Sequence, residues 1–173
     1  MMGADLYIES NYNALQARLQ PEFEAAVRRR DAARSTKARE EAQREVARIF
    51  DAMHPPTAFF RDAYSSNCLL AQLSLSWWDI ALNLTEDGHL PLSEVKRLLF
   101  EVRNRRISCQ TSPTYEQQVT LEVMAQVAGG SVQVDQRVAY TADDVEWFVS
   151  RKQALITFLQ TALDLGEPPV CSL

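Results

Sequence analysis

Glycine is scarce in this chain, 5 residues in 173, which disfavours sandwiches and barrels built on many tight turns. Cysteine is sparse too: Cys68, Cys109 and Cys171 stand far apart with no CxxC pair. Neither a disulfide framework nor a thiolate zinc site fits that spacing. The only histidines are His54, before Pro55–Pro56, and His89, in a turn-like stretch. No HExxH, P-loop, GxGxxG or GxSxG motif occurs, and Gly129–Gly130 reads as a helix stop. Together these absences point away from nucleophilic and metal-dependent catalysis and imply no cofactor. No apolar run approaches the length of a membrane span. The opening MMGADLYIES lacks the basic flank and apolar core of a secretory signal. If translation begins at Met2, Tyr7 stands where a myristoylation signal wants Ser or Thr. The expected setting is a reducing cytoplasm, away from membranes.

What is present is a hydrophobic content of 46%, enough for a real core and, at this length, for one domain rather than two. The net charge of −5 argues against general nucleic-acid affinity. Its distribution is uneven: residues 28–48 hold eight Lys/Arg against four Asp/Glu, and residues 107–173 hold three against eight. The simplest account of the basic stretch is a solvated helix laced with i,i+4 pairs such as Glu40–Arg44.

Periodicity predicts a mainly α, single-domain bundle of five or six helices over residues 1–173, with a short N-terminal strand and room for a minor β pairing. In residues 4–9, Leu6 and Ile8 share one face and Asp5, Tyr7 and Glu9 the other. Leu15, Leu19, Phe23 and Val27 recur every four residues, and Ala42, Val46, Ile49, Phe50 and Met53 form a second stripe. Between them Ser35 or Thr36 offers a fresh N-cap, so residues 11–54 read as a helical hairpin, with one long helix as the alternative. Pro55–Pro56 ends it. Core helices are expected over 68–106. The first, 68–83, is apolar on two sides, through Leu69, Leu73, Trp77 and Ile80 and through Ala71, Leu75, Trp78 and Leu82, so it reads as the buried centre. The second runs from a Ser93 cap to Arg106. C-terminal helices are expected over 116–165: one at 116–128, then one started by Thr141-x-x-Asp144, a capping-box-like signal. Val132 and Val134 could form a second strand.

The sharpest motif match is NLTEDGHLPLSE, Asn83 to Glu94. A calcium loop of the EF-hand type wants oxygen ligands at positions 1, 3, 5 and 12, glycine at 6 and a backbone carbonyl at 7. Asn83, Thr85, Asp87, Glu94, Gly88 and His89 fill those places. Only two of the side chains are carboxylates, so affinity would be weak. An ordinary helix–turn–helix link accounts for the same residues.

A stronger candidate is Phe59–Trp78, where Arg61 and Asp62 follow Phe59–Phe60 and precede Tyr64 and Asn67, and where Trp77 and Trp78 follow. Guanidinium pairing with stacking suits a flat or anionic ligand or a protein partner. Asp5 and Tyr7 join the set if the N-terminal strand packs nearby. The competing account is aromatic core filling with Arg61 as a structural clamp. Trp77 and Trp78 fall on different helix faces, so only one of them can line the site. Cys68, near a helix start, is a candidate reactive thiol, although a small buried hydrophobe fits it better.

Several stretches, MGADLYIES, FFRDAY…LSWWDI, DGHLPLSEVKRLL and LGEPPVCSL, resemble a family of small, uncharacterised bacterial and phage-associated proteins. The resemblance spans most of the chain except residues 107–140. It implies only that Asp5, Tyr7, Arg61, Asp62, Trp77, Trp78 and Cys171 match the family pattern, and it carries over no catalytic residue. A phage setting would suit a sequestering or inhibitory protein. The expectation is therefore a non-catalytic cytoplasmic binding protein using the Arg61–Trp78 surface. The alternatives are an enzyme with Asp62 as acid or base, and a weak calcium binder. The amphipathic hairpin leaves a homodimer open.

Overall fold

The computed structural model describes residues 3–63, 68–108 and 140–172. Among them the chain is mainly helical, with six helices and one three-stranded antiparallel sheet of order β2-β1-β3. Strand β1 is Gly3–Tyr7, β2 is Phe59–Ala63 and β3 is Val170–Ser172. The period-two pattern of β1 does what the sequence predicts: Ala4, Leu6 and Ile8 are buried, while Asp5 and Tyr7 lie on the outer, half-exposed face. It pairs on both of its edges. Residues 59–63, which read as loop, pair along one edge with Tyr7 opposite Phe59 and Asp5 opposite Arg61. The tail pairs along the other edge, with Leu6 opposite Cys171. The Val132–Val134 strand, the 116–128 helix with its Gly129–Gly130 stop, and Cys109 all lie outside the described residues.

Since Tyr7 pairs with Phe59, the residues between β1 and β2 stand where a hairpin turn would. They form an arm of two helices, α1 (Glu9–Ala32) and α2 (Thr36–Met53). Ser35 provides the cap between them, its hydroxyl accepting from Ala38 N at 3.2 Å. The arm has its own small core of Ala26, Val46, Ile49 and Met53, separate from the main one. The expected i,i+4 pairing of Glu40 with Arg44 gives way to pairs across the hairpin, Arg29–Glu45 at 2.8 Å and Arg48–Glu22 at 3.1 Å.

The expected continuous helix over 68–83 is replaced by two short ones, α3 (Leu69–Gln72) and α4 (Trp77–Ala81). The break is physical. Ser74 adopts φ 54, outside helical space. Ser76 then caps the new helix, its hydroxyl accepting from Trp78 N at 3.1 Å. Arg105 Nη1 donates to the Ser74 carbonyl at 2.9 Å, holding the break in place. The rotation moves the second apolar face outward: Trp78 is 79% and Leu82 83% exposed. Gln72, a polar residue that belongs to neither of the two apolar faces read in 68–83, is buried. Its side chain donates to Tyr140 Oη at 2.7 Å and accepts from Ser108 Oγ at 2.8 Å.

Helix α5 spans Leu92–Asn104 with Pro91 at its N-cap, two residues ahead of the expected Ser93 cap, and buries Val95, Leu98, Leu99 and Val102. Helix α6, Ala142–Leu165, opens on the Thr141–Asp144 capping box and ends at Gly166, whose φ of 65 suits a glycine. Glu167 N then donates to the Ala162 carbonyl at 3.0 Å, closing the turn. With Phe148, Leu155, Phe158, Leu159 and Ala162 buried, α6 is a central helix of the main core, a place the sequence assigned to 68–83. No described helix is long and apolar enough to cross a membrane.

Candidate functional site

Strand alternation decides the geometry of the Arg61–Asp62 pair. Neighbours on a strand point to opposite faces, so β2 sends Phe60 and Asp62 into the core and Phe59 and Arg61 outward. The adjacent pair is not a pair at all. Arg61 reaches across to β1 and forms a fork with Asp5, Nε to Oδ1 at 2.6 Å and Nη2 to Oδ2 at 2.7 Å. That bonding raises the already high pKa of its guanidinium. Its side chain remains 61% exposed.

Asp62 lies inside, 4% exposed. Its carboxylate accepts from Leu69 N at 3.0 Å, Leu70 N at 3.1 Å and the indole Nε1 of Trp77 at 3.2 Å. It thus anchors the start of α3 and fixes the Trp77 ring, which is itself buried. A cation from a distant segment faces this region. Arg151 of α6 lies 4.5 Å over the Phe60 ring and 5.6 Å over Trp147. Burial pushes its pKa down, while the Asp62 charge opposes that shift. The role of Arg151 is missed by sequence reasoning, which looked for the partner of Asp62 next door.

The outer face of the sheet collects the rest. The cross-strand pair Tyr7–Phe59 lies next to the Asp5–Arg61 fork, with Arg61 Cζ 5.5 Å from the Phe59 ring centroid. At the foot of the arm Tyr12 stacks near both, 5.4 Å from Tyr7 and 6.0 Å from Phe59. His54 meets Phe59 edge-on at 4.8 Å, and its Nδ1 lies 2.7 Å from the Phe50 carbonyl. Neither Tyr12 nor His54 belongs to the predicted set, although an aromatic five residues past the end of β1 is a signal that could have found Tyr12. Of that set, Asp5, Tyr7 and Arg61 come together here, Asp62 and Trp77 form the buried anchor, and exposed Trp78 joins neither. Tyr64 and Asn67 lie outside the described residues.

The Asn83–Glu94 window forms a pinned turn. Thr85 Oγ1 donates to Asp87 at 2.5 Å and accepts from His89 N at 3.0 Å. Asn83 turns its amide onto the Asp79 carbonyl at 2.7 Å, and Glu94 pairs with Arg97 at 2.7 Å. Gly88, at φ 80, brings its carbonyl to Cys171 N at 2.9 Å, so the turn is tied to β3. The proposed calcium ligands are thus committed to other partners. No three His, Cys, Asp or Glu side chains among the described residues gather as an ion would require.

The thiols are packing groups. Burial pushes Cys68 up, the opposite of what a reactive thiol needs. Burial, followed by the Asp5 charge, pushes Cys171 up to about 12. A thiol held neutral in the fold but free to ionise when unfolded weakens stability as pH climbs from its unfolded value, near 9, towards the folded one. The drop reaches ~4 kcal/mol at full extent, at ~1.4 kcal/mol per pH unit. Urea titrations between those pH values should show it, and Cys171→Ala should flatten the slope.

No family model, curated protein or solved structure matches the chain.

Proposed function

We propose that the protein is a non-catalytic binding protein of the cytoplasm that presents the outer face of its sheet to a protein partner. The observation that carries this reading is the Asp5–Arg61 fork set beside the half-exposed Tyr7–Phe59 pair. Tyrosine and arginine are the residues that dominate interface energetics, and aromatic rings give contact area at low entropic cost. The fork already neutralises Arg61, so a small free anion would have to displace Asp5. A polar-aromatic protein surface can instead use the remaining guanidinium N–H groups. The Asp62 carboxylate, enclosed by three donors, suits anchoring better than proton transfer. Free buried thiols at Cys68 and Cys171 fit a reducing compartment.

The test compares capture of partners by the wild-type chain and by Arg61→Ala, followed by titration of each purified partner. Arg61→Ala should raise Kd roughly thirtyfold, the scale of a ~2 kcal/mol hot spot. Its unfolding free energy should change by only about 1 kcal/mol or less, because an exposed pair contributes little. A partner that binds Arg61→Ala and Tyr7→Ala as tightly as wild type would place recognition elsewhere.

A further inference from the structure

We propose that the open edge of β2 docks an extended, acidic segment of a partner protein, which joins the sheet as a further strand antiparallel to β2. This rests on the reading of the sheet as the binding region and names the form the partner takes there. Main-chain bonding decides which groups are left over. Ile8 N donates to the Ala58 carbonyl at 3.0 Å, and the register continues with Leu6 opposite Phe60 and Ala4 opposite Asp62. Bonded pairs alternate along an antiparallel ladder, so Phe60 and Asp62 turn their amides and carbonyls to β1. Phe59, Arg61 and Ala63 turn theirs outward. The Phe59 amide is met by the Pro55 carbonyl at 2.9 Å. The Phe59 carbonyl, both main-chain groups of Arg61 and the Ala63 amide face no strand among the described residues. The far edge of the sheet, by contrast, is closed. His89 bridges Val170, Cys171 N donates to the Gly88 carbonyl, and Leu90 N donates to the Pro169 carbonyl. An open row of this kind is a template for another strand, and β2 guards it with neither a proline nor a bulge.

Charge selects the occupant. Guanidinium groups stand on both faces of β2. On the outer face Arg61 is 61% exposed, and its Nη1 takes no part in the fork with Asp5. Beneath, Arg151 lies 4.5 Å over the Phe60 ring, its Nε buried with no acceptor among the described residues. The carboxylates nearby are engaged, Asp5 in the fork and Asp62 by Leu69, Leu70 and Trp77. An acid on either face of an added strand therefore meets a cation. Directly opposite residues share a face, so glutamate opposite Arg61 extends the Asp5–Arg61 column, and an apolar residue two positions on meets Phe59. A second copy is a poorer occupant, because two β2 strands in full antiparallel register set Arg61 against its own image.

Amide exchange of the full chain, read by NMR, tests this. In the free protein the Arg61 amide should exchange at least roughly tenfold faster than those of Phe60 and Asp62, which β1 holds. The blocked peptide Thr-Val-Thr-Glu-Thr-Val-Thr, at millimolar concentration, should slow the Arg61 amide roughly tenfold. Lysine in place of its glutamate should weaken binding about fivefold or more. Methylating the glutamate amide, which would face the Arg61 carbonyl, should abolish binding. An Arg61 amide already protected in the free monomer overturns the proposal, as does one protected only through self-association. So does an amide that the peptide leaves unchanged, or a peptide indifferent to either modification. A partner that needs the Arg61 side chain, yet leaves the wild-type Arg61 amide exchanging freely, overturns the edge while upholding the sheet face.

Discussion

Replacing Asp62 with alanine is expected to destabilise the fold by ~3–5 kcal/mol, the scale of breaking a buried charged network. The physical reason is what the substitution leaves behind. The amides of Leu69 and Leu70 and the indole of Trp77 all donate to this one carboxylate, and water cannot readily replace it in the core. Each orphaned buried donor costs ~1–3 kcal/mol. The Arg151 charge would also lose the carboxylate that opposes its burial. Asp62→Asn keeps the shape but turns its amide NH2, itself a donor, towards at least one donor, so it should cost less than alanine and still more than about 1.5 kcal/mol. Trp77→Phe removes one donor and leaves the carboxylate its two amides, and should be milder than either. Urea unfolding of the three variants gives the ranking. If Asp62→Asn were neutral, the carboxylate would not be an anchor.

The contrast with Arg61→Ala shows how far the sequence reaches. Two adjacent charges among aromatics suggest one site. Reading them as a strand would have separated them at once, since side chains alternate. What hid the strand is Asp62 itself: the inward positions of FFRDA are Phe60 and Asp62, and a buried carboxylate spoils the apolar alternation that made β1 legible through Leu6 and Ile8. The arm was legible for the opposite reason. Its stripes are clean, and Ser35 announces the cap between helices. The break within residues 68–83 was not. Leu73–Ser74–Leu75–Ser76 carries no glycine or proline, and the positive φ at Ser74 is held by distant Arg105. Tertiary contacts of that kind override local propensity. The same applies to Gln72, polar by composition yet buried because Ser108 and Tyr140 meet its amide. Arg151 could not be found at all, since its meaning depends on a ring 91 positions earlier in the chain, Phe60.

That ring carries the second large expectation. Phe60→Ala should cost ~3–5 kcal/mol, the range for emptying a buried aromatic site. Phe60 is almost wholly enclosed on the inner face of the edge strand β2. Its effect has two separable parts. One is volume, which Phe60→Leu largely restores, leaving a loss of ~1–2 kcal/mol. The other is the attraction of the ring for the half-buried Arg151 guanidinium, 4.5 Å from its centroid. Cation–π contacts contribute ~0.5–2 kcal/mol, more when desolvated, and leucine cannot reproduce them. A double-mutant cycle of Phe60→Leu with Arg151→Met isolates that part, since methionine keeps the apolar stem and removes the charge. The coupling should be favourable by ~1 kcal/mol. Arg151→Met alone then reads the balance between a lost ring contact and a relieved desolvation, and it should be far milder than Phe60→Ala. A coupling of zero would mean that Arg151 is held by packing of its stem, and that the Asp62 anchor is the one strong electrostatic feature beneath the sheet.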